Sequence, residues 1–202
     1  MMGNTHIVVG VATSLAVMQP TNIKECLVSV IGGAVGGAIA DIDIVKSNYK
    51  HDFFNIQLIS MLIALACLGV DYLLKFGICQ DVLANNRQLV IIGGAAYITL
   101  LMIGFLSSHR TFTHSLLSVL LFTVALEFVY VPIAISHALG HLSHIVLDFF
   151  NRKRMTVFFP VKRGFCLKLF YADRTANKIF WYLGWAISIV FATRALYLQF
   201  FS

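Results

Sequence analysis

The sequence predicts an all-α fold: a polytopic integral membrane bundle of about seven helices, some short or partly spanning, forming one domain over residues 1–202. Three observations predict it. Of the 202 residues, 59% are hydrophobic and 12% are charged, whereas a soluble domain averages about 25% charged residues. The mean hydropathy of +0.84 is too apolar for the surface that a soluble domain of this size still exposes. Four apolar runs approach or exceed the roughly 20 residues that a spanning helix needs. A secreted disulfide scaffold, a disordered chain and an ordinary cytosolic enzyme are thereby excluded. Seven spans would use roughly 140 residues and leave little for a separate soluble domain.

The first apolar segment, 7–18, has no basic stretch before it and no small-residue cleavage site after it. It reads as a retained helix, not a cleaved signal peptide. Pro20, Thr21 and Asn22 form a turn that caps the second helix, 26–40. Gly32, Gly33, Gly36 and Gly37 in that helix make overlapping G-x-x-x-G frames, which let another helix approach closely. The clear spans follow at 56–76, 89–106 and 115–131. Pro132 divides the long apolar run after 115, so a sixth helix is expected over 133–150, antiparallel to the fifth. The last span is 179–201. Asp71 with Lys75, and Glu127 with Arg194, fall near the far helix ends and read as structural ions that pair or snorkel.

The formal net charge is +6, and in a membrane protein a basic excess points first to the positive-inside bias, not to nucleic acid. Seven helices would gather residues 1–6, 41–55, 107–113 and 151–178 on one side. That side carries 11 of the 15 lysines and arginines, so it is expected to be cytoplasmic, with the C-terminus outside. The run Arg152–Arg154 reads as an interfacial anchor. Residues 158–171 mix aromatics with Lys162, Arg163 and Lys168, a composition suited to the headgroup region. Cys26, Cys67, Cys79 and Cys166 lie far apart and suggest neither a disulfide framework nor a thiolate zinc site.

The chemistry-bearing residues fall in three clusters. His137, His141, His144 and Asp148 lie at i, i+4, i+7 and i+11, within about 60° of arc on the sixth helix. Ionisable groups in a membrane are costly and need a partner. A divalent cation is one such partner, since imidazole and carboxylate both suit zinc; a hydrogen-bonded polar seam is the other reading. The second cluster is Ser107 to Ser115. Thr113 is placed to cap the fifth helix. His109 and His114 can converge only if His109 lies outside that helix, because one helix would aim them about 140° apart. Arg110 is either a planar fork for phosphate or a positive-inside anchor. The third cluster is Asp41-Ile42-Asp43. If the segment is extended, both carboxylates face one way and can share a cation cluster; a solvated helix end is the alternative. His6 lands on the same side.

Under this topology His6, Asp41, Asp43, His109, His114, His144 and Asp148 all lie at the cytoplasmic end of the bundle. They offer more ligands than one zinc uses, enough for two closely spaced ions. These residues also carry a resemblance. The chain resembles the YdjM-like family of bacterial inner-membrane proteins, described as LexA-regulated metal-dependent hydrolases. The likeness covers most of the chain and rests on Thr5-His6, Asp41-Ile42-Asp43, His109-Arg110 with Thr113-His114-Ser115, Gly140 through His144 to Asp148, and Phe158-Phe159-Pro160.

The resemblance implies a distant relation to zinc-dependent phospholipases C and single-strand nucleases, which cleave phosphoesters at clustered zinc ions. The family often has a proline before the first aspartate and a histidine after the second, where this chain has Ala40 and Ile44. A ligand is then missing, or His51 replaces it. His137 and His141 lie outside the family pattern and are candidates to support the ligands from behind.

The expectation is therefore a membrane-bound metal-dependent hydrolase in the bacterial inner membrane. It would cleave a phosphoester of a lipid or lipid-linked substrate with metal-activated water at the cytoplasmic interface. Its ligands would be the seven histidines and aspartates, its metal zinc in one or more ions, and its phosphate-binding residue Arg110. Asp43 or Asp148 would serve as general base. Membrane lipids are the expected partners, and no nucleic acid. The rival reading is a metal-ion or proton transporter using the same cluster, although such sites usually lie at the midplane between repeats and no repeat is visible.

Overall fold

The computed structural model describes residues 2–46, 50–161, 163–169 and 175–201, with the side chains of 44–54 not described. Lys162, Arg174 and the side chains of Lys46, Lys50 and His51 therefore lie outside the described residues. Among the described residues eight α-helices form: α1 (Gly3–Met18), α2 (Ile23–Ile39), α3 (Lys50–Leu74), α4 (Ile78–Ala84), α5 (Arg87–Leu106), α6 (Leu116–Glu127), α7 (Val131–Phe150) and α8 (Thr175–Phe201). A 3₁₀ segment, Ala40–Lys46, joins α2 to α3. The chain is an all-helical membrane bundle. Among the described residues five segments are long and apolar enough to cross a membrane: Ile23–Asp43, Asn55–Leu74, Arg87–Leu106, Val131–Phe150 and Thr175–Phe201.

Local chemistry sets the helix ends. Asn22 caps α2 by accepting from the Glu25 amide at 2.9 Å, and Glu25 reaches back to the Thr21 amide at 2.8 Å. This reciprocal pair satisfies amides that an uncapped helix start leaves orphaned. Pro132 sits in the first turn of α7, where its missing N–H costs nothing; the expected break there is real. Ser115, not Thr113, caps α6 by accepting from the Ser118 amide at 3.2 Å. Helix α4 was not anticipated from hydropathy. Its seven residues span roughly 10 Å, too short to cross a membrane, so the alternation of ends is unchanged. Asp71 nucleates it by accepting from the amides of Ile78 at 2.8 Å and Cys79 at 2.9 Å. Asp71 is structural, as expected, but as a cap and not by pairing or snorkelling.

The glycines of α2 bring three helices together. A Cβ on Gly33 would stand 2.7 Å from the Gly10 carbonyl oxygen of α1, and one on Gly36 would stand 2.1 Å from the His137 carbonyl oxygen of α7. Backbones can approach this closely only where no side chain intervenes. Helix α2 is accordingly the most buried span, with 67% of its window inside the bundle, against 50% for α7 and 11–17% for α3, α5 and α8. The outer helices expose Leu73, Ile91, Ile98, Leu183 and Phe200, as lipid-facing surfaces do. The two ends of the bundle differ. At one, Lys24 pairs with Asp81 at 2.6 Å, Tyr130 donates to Asp81 at 2.9 Å, and Arg194 donates to the carbonyls of Gln19 and Pro20. At the other, the start of α1, the 3₁₀ segment, the α5–α6 loop and the segment after α7 converge.

Candidate metal centre

Four chain segments supply the cluster at that second end. His6 lies one turn into α1, Asp41 and Asp43 lie on the 3₁₀ segment, His109 to His114 lie on the α5–α6 loop, and His141, His144 and Asp148 lie on α7. All seven predicted ligands are brought together. Apart from His109, which is one-third exposed, every one of them is buried. They nevertheless divide into two layers.

The inner layer is His6, Asp41, His114, His144 and Asp148. His6 Nε2 lies 3.4 Å from Asp148 Oδ1, and His144 Nε2 lies 3.6 Å from Asp41 Oδ1. His114 Nε2 lies 3.9 Å from Asp41 Oδ1 and 3.8 Å from Asp148 Oδ2. The His6 and His144 rings stack with centroids 3.6 Å apart. Two triplets, His6–His144–Asp148 and Asp41–His114–His144, each place their ligand atoms within 4.8 Å of one another. Both triplets contain His144. Nε2 of His114 and Nε2 of His144 are buried without a hydrogen-bond partner. Buried polar atoms are rarely left unpaired, so two orphaned imidazole nitrogens beside carboxylates fit a cation well.

The tautomers agree. A carbonyl oxygen can only accept, so His144 Nδ1 must donate to Gly37 O at 2.8 Å, which leaves the Nε2 lone pair facing the centre. This is the arrangement that fixes a ligating histidine from behind. The same logic applies to His114 through a relay. Thr113 Oγ1 donates to Asp43 Oδ2 at 2.8 Å, so it can accept from His114 Nδ1 at 3.2 Å.

Asp43 is the hub of the outer layer. Its Oδ1 accepts from His109 Nδ1 at 2.7 Å, and its Oδ2 accepts from the Arg110 amide at 2.8 Å and from Thr113. Both oxygens are engaged, so Asp43 stands behind the inner donors. The extended reading of Asp41-Ile42-Asp43 fails for a geometric reason. In a 3₁₀ segment residues two apart point about 120° apart, so Asp41 faces His144 while Asp43 faces the α5–α6 loop. His109 is in that loop, as its convergence with His114 required, and the two rings meet edge to face at 5.5 Å.

Arg110 holds a left-handed backbone, φ 64°, a conformation that non-glycine residues adopt only under constraint. The constraint is visible: its amide bonds Asp43, its carbonyl accepts from the Thr156 amide at 3.0 Å, and its fork reaches Asp148 Oδ2 at 2.7 Å and the Lys153 carbonyl at 3.0 Å. Its Nε is buried without a partner.

The α7 stripe splits. His144 and Asp148 enter the centre. His141 Nε2 donates to the Thr113 carbonyl at 2.8 Å, and His137 Nε2 meets Tyr97 Oη at 3.2 Å, with Phe122 packed on both rings. Those two histidines tie α7 to α5 and to the α6 loop. Two contributors escaped the sequence reading. Thr113 looked like a helix cap, and the Gly37 carbonyl was hidden in what read as a packing motif. The family model described as YdjM inner membrane protein matches residues 1–201. No curated protein and no solved structure matches the chain.

Proposed function

The chain belongs to the YdjM inner membrane protein family, and from that premise we propose that it is a multi-pass, metal-dependent hydrolase acting on a phosphoester of a lipid or lipid-linked substrate. The observation that carries the reading is the pair of buried, unpartnered Nε2 atoms of His114 and His144 beside Asp41 Oδ1. Asp41, His114 and His144 would hold one divalent cation, with His6 and Asp148 forming the second triplet around the same His144 and zinc fitting an imidazole and carboxylate donor set. An imidazole nitrogen has one lone pair, so two triplets that share His144 Nε2 describe one ion position. Such an ion supplies Lewis acidity and makes water a competent nucleophile near neutral pH.

The remaining roles belong to the chain itself. His109 donates Nδ1–H to the buried Asp43 carboxylate, which fixes its tautomer and leaves Nε2 to accept and return a proton. The orienting carboxylate of a catalytic dyad has this position. His109 thus takes the acid–base role that Asp43, with both oxygens engaged, is poorly placed to fill. Arg110 steadies Asp148 through Nη2 and offers its buried Nε to a phosphoryl oxygen. The positive-inside bias supports a cytoplasmic position for this end of the bundle.

Transport is less well supported. The candidate ligands gather at one end of the bundle, whereas transporter sites usually lie at the midplane between repeats. The test is hydrolysis of bis-p-nitrophenyl phosphate and of phospholipids by the purified, zinc-loaded protein. The reading predicts turnover that a chelator abolishes and zinc restores. Full zinc occupancy without turnover on any phosphoester would overturn it.

A further inference from the structure

The segment after α7 folds back on itself. Met155 and Phe165 exchange both backbone hydrogen bonds, at 3.1 and 2.9 Å. The returning strand is then pinned to the end of α7, with Leu167 N donating to Phe149 O at 2.8 Å and Leu169 N donating to Phe150 O at 2.9 Å. The fold-back encloses an open cleft of about 440 Å³ lined by Arg154, Arg163, Lys168, Phe149, Phe165 and Leu167, among others. Among the described residues no acidic side chain lines it, and none occurs anywhere between residues 149 and 172. Gly164 makes the cleft possible, since a Cβ there would stand 3.0 Å from Arg154 Cβ. Leu167 and Phe165 in its wall are exposed, as are Phe158, Val161 and Leu169 in the same segment.

Three cations with no counter-charge among the described residues call for an anion, and the exposed apolar residues of the same segment say where that anion comes from. A water-borne ion gains nothing from exposed leucine, valine and phenylalanine, whereas a lipid presents its phosphate at the depth where such side chains enter the acyl boundary. The cleft is also tied to the metal centre through the chain. Its wall begins at Phe149, the residue after Asp148, and Arg110 bonds both Asp148 and the Lys153 carbonyl beside Arg154. We infer that this cleft binds the phosphate headgroup of an anionic phospholipid and seats that lipid beside the candidate metal centre. Its role in presenting substrate rests on the hydrolase reading; its binding of lipid does not.

The experiment is native mass spectrometry of the full chain in detergent, titrated with phosphatidylglycerol or phosphatidylcholine, alongside elemental analysis. Wild type should retain phosphatidylglycerol in preference to phosphatidylcholine, and added salt should weaken the retention. The triple variant Arg154→Gln, Arg163→Gln, Lys168→Gln should bind phosphatidylglycerol roughly tenfold or more weakly with metal content unchanged. The charge-preserving Arg163→Lys, Lys168→Arg variant should bind as wild type does, which guards against misfolding of the triple variant.

Equal retention of the two lipids, unchanged retention in the triple variant, or binding of inorganic phosphate as tight as that of phosphatidylglycerol would overturn the inference. Selective retention without hydrolysis of any lipid supports the cleft and counts against the hydrolase reading alone.

Discussion

His144 on α7 donates Nδ1–H to the carbonyl oxygen of Gly37 on α2 at 2.8 Å, so one hydrogen bond ties the glycine packing of the bundle to the tautomer of a candidate metal ligand. The contact exists because α2 carries no side chain where α1 and α7 cross it. A Cβ on Gly37 would stand 2.5 Å from the His6 carbonyl oxygen, so the same glycine also positions His6.

Gly37→Ala should therefore act on both stability and metal binding. Forcing a methyl against backbone costs roughly 1–3 kcal/mol and pushes His6 away from Asp148. Gly69→Ala is the control, because a Cβ there meets nothing within 4 Å; it should be neutral or gain up to about 1 kcal/mol of helix propensity. Thermal unfolding in detergent with parallel metal analysis separates the two. Equal behaviour of the two variants would show that the close approach has no energetic weight.

Asp43 and Asp41 should differ. Asp41→Asn weakens a donor beside the two orphaned nitrogens and should remove most bound metal. Asp43→Asn leaves the donors in place and disturbs what orients His109, Arg110 and Thr113, so affinity should fall by roughly 10–100-fold, the range for groups behind metal ligands. Chelator competition reads both constants. A larger loss from Asp43→Asn than from Asp41→Asn would reverse the layering.

His109→Gln is expected to keep its metal and lose turnover, with the loss in kcat. Arg110→Lys keeps the charge and loses the fork, so metal should survive while kcat or KM suffers. A His109→Gln protein depleted of metal would return His109 to the ligands.

How much of this was legible beforehand follows from which residues announce themselves. The spacing of His144 and Asp148 and the loop position of His109 could be read because helical angles are fixed by sequence separation. The two faces of Asp41 and Asp43 could not, since a 3₁₀ turn and a strand differ only in backbone angles that Ala-Asp-Ile-Asp does not dictate. Helix α4 was hidden because its stability comes from Asp71 capping its amides, a contact between residues seven and eight apart with no periodic signature. The Gly37 carbonyl is a backbone atom, invisible to any motif of side chains.

The far end should respond to acid while the centre is left intact. Asp81 is held below the usual carboxylate range, first by its bond with Lys24 and then by Tyr130, whose own hydroxyl is pushed up to about 12, chiefly by burial, and stays protonated. A depressed carboxylate contributes stability above its unfolded value and loses it as pH falls through the folded one. Asp81→Asn should flatten that acid limb of the unfolding profile without altering bound metal. An unchanged limb would remove Asp81 from it.

The most direct measurement is elemental analysis of the purified, zinc-equilibrated protein and four variants. The account predicts one ion per chain in wild type, loss of it in His144→Ala and His114→Ala, and its retention in His141→Ala and His109→Ala, with His141→Ala less stable by roughly 1–3 kcal/mol for the stranded Thr113 carbonyl. Wild type that binds no ion, or an ion that survives in both His144→Ala and His114→Ala, would contradict it.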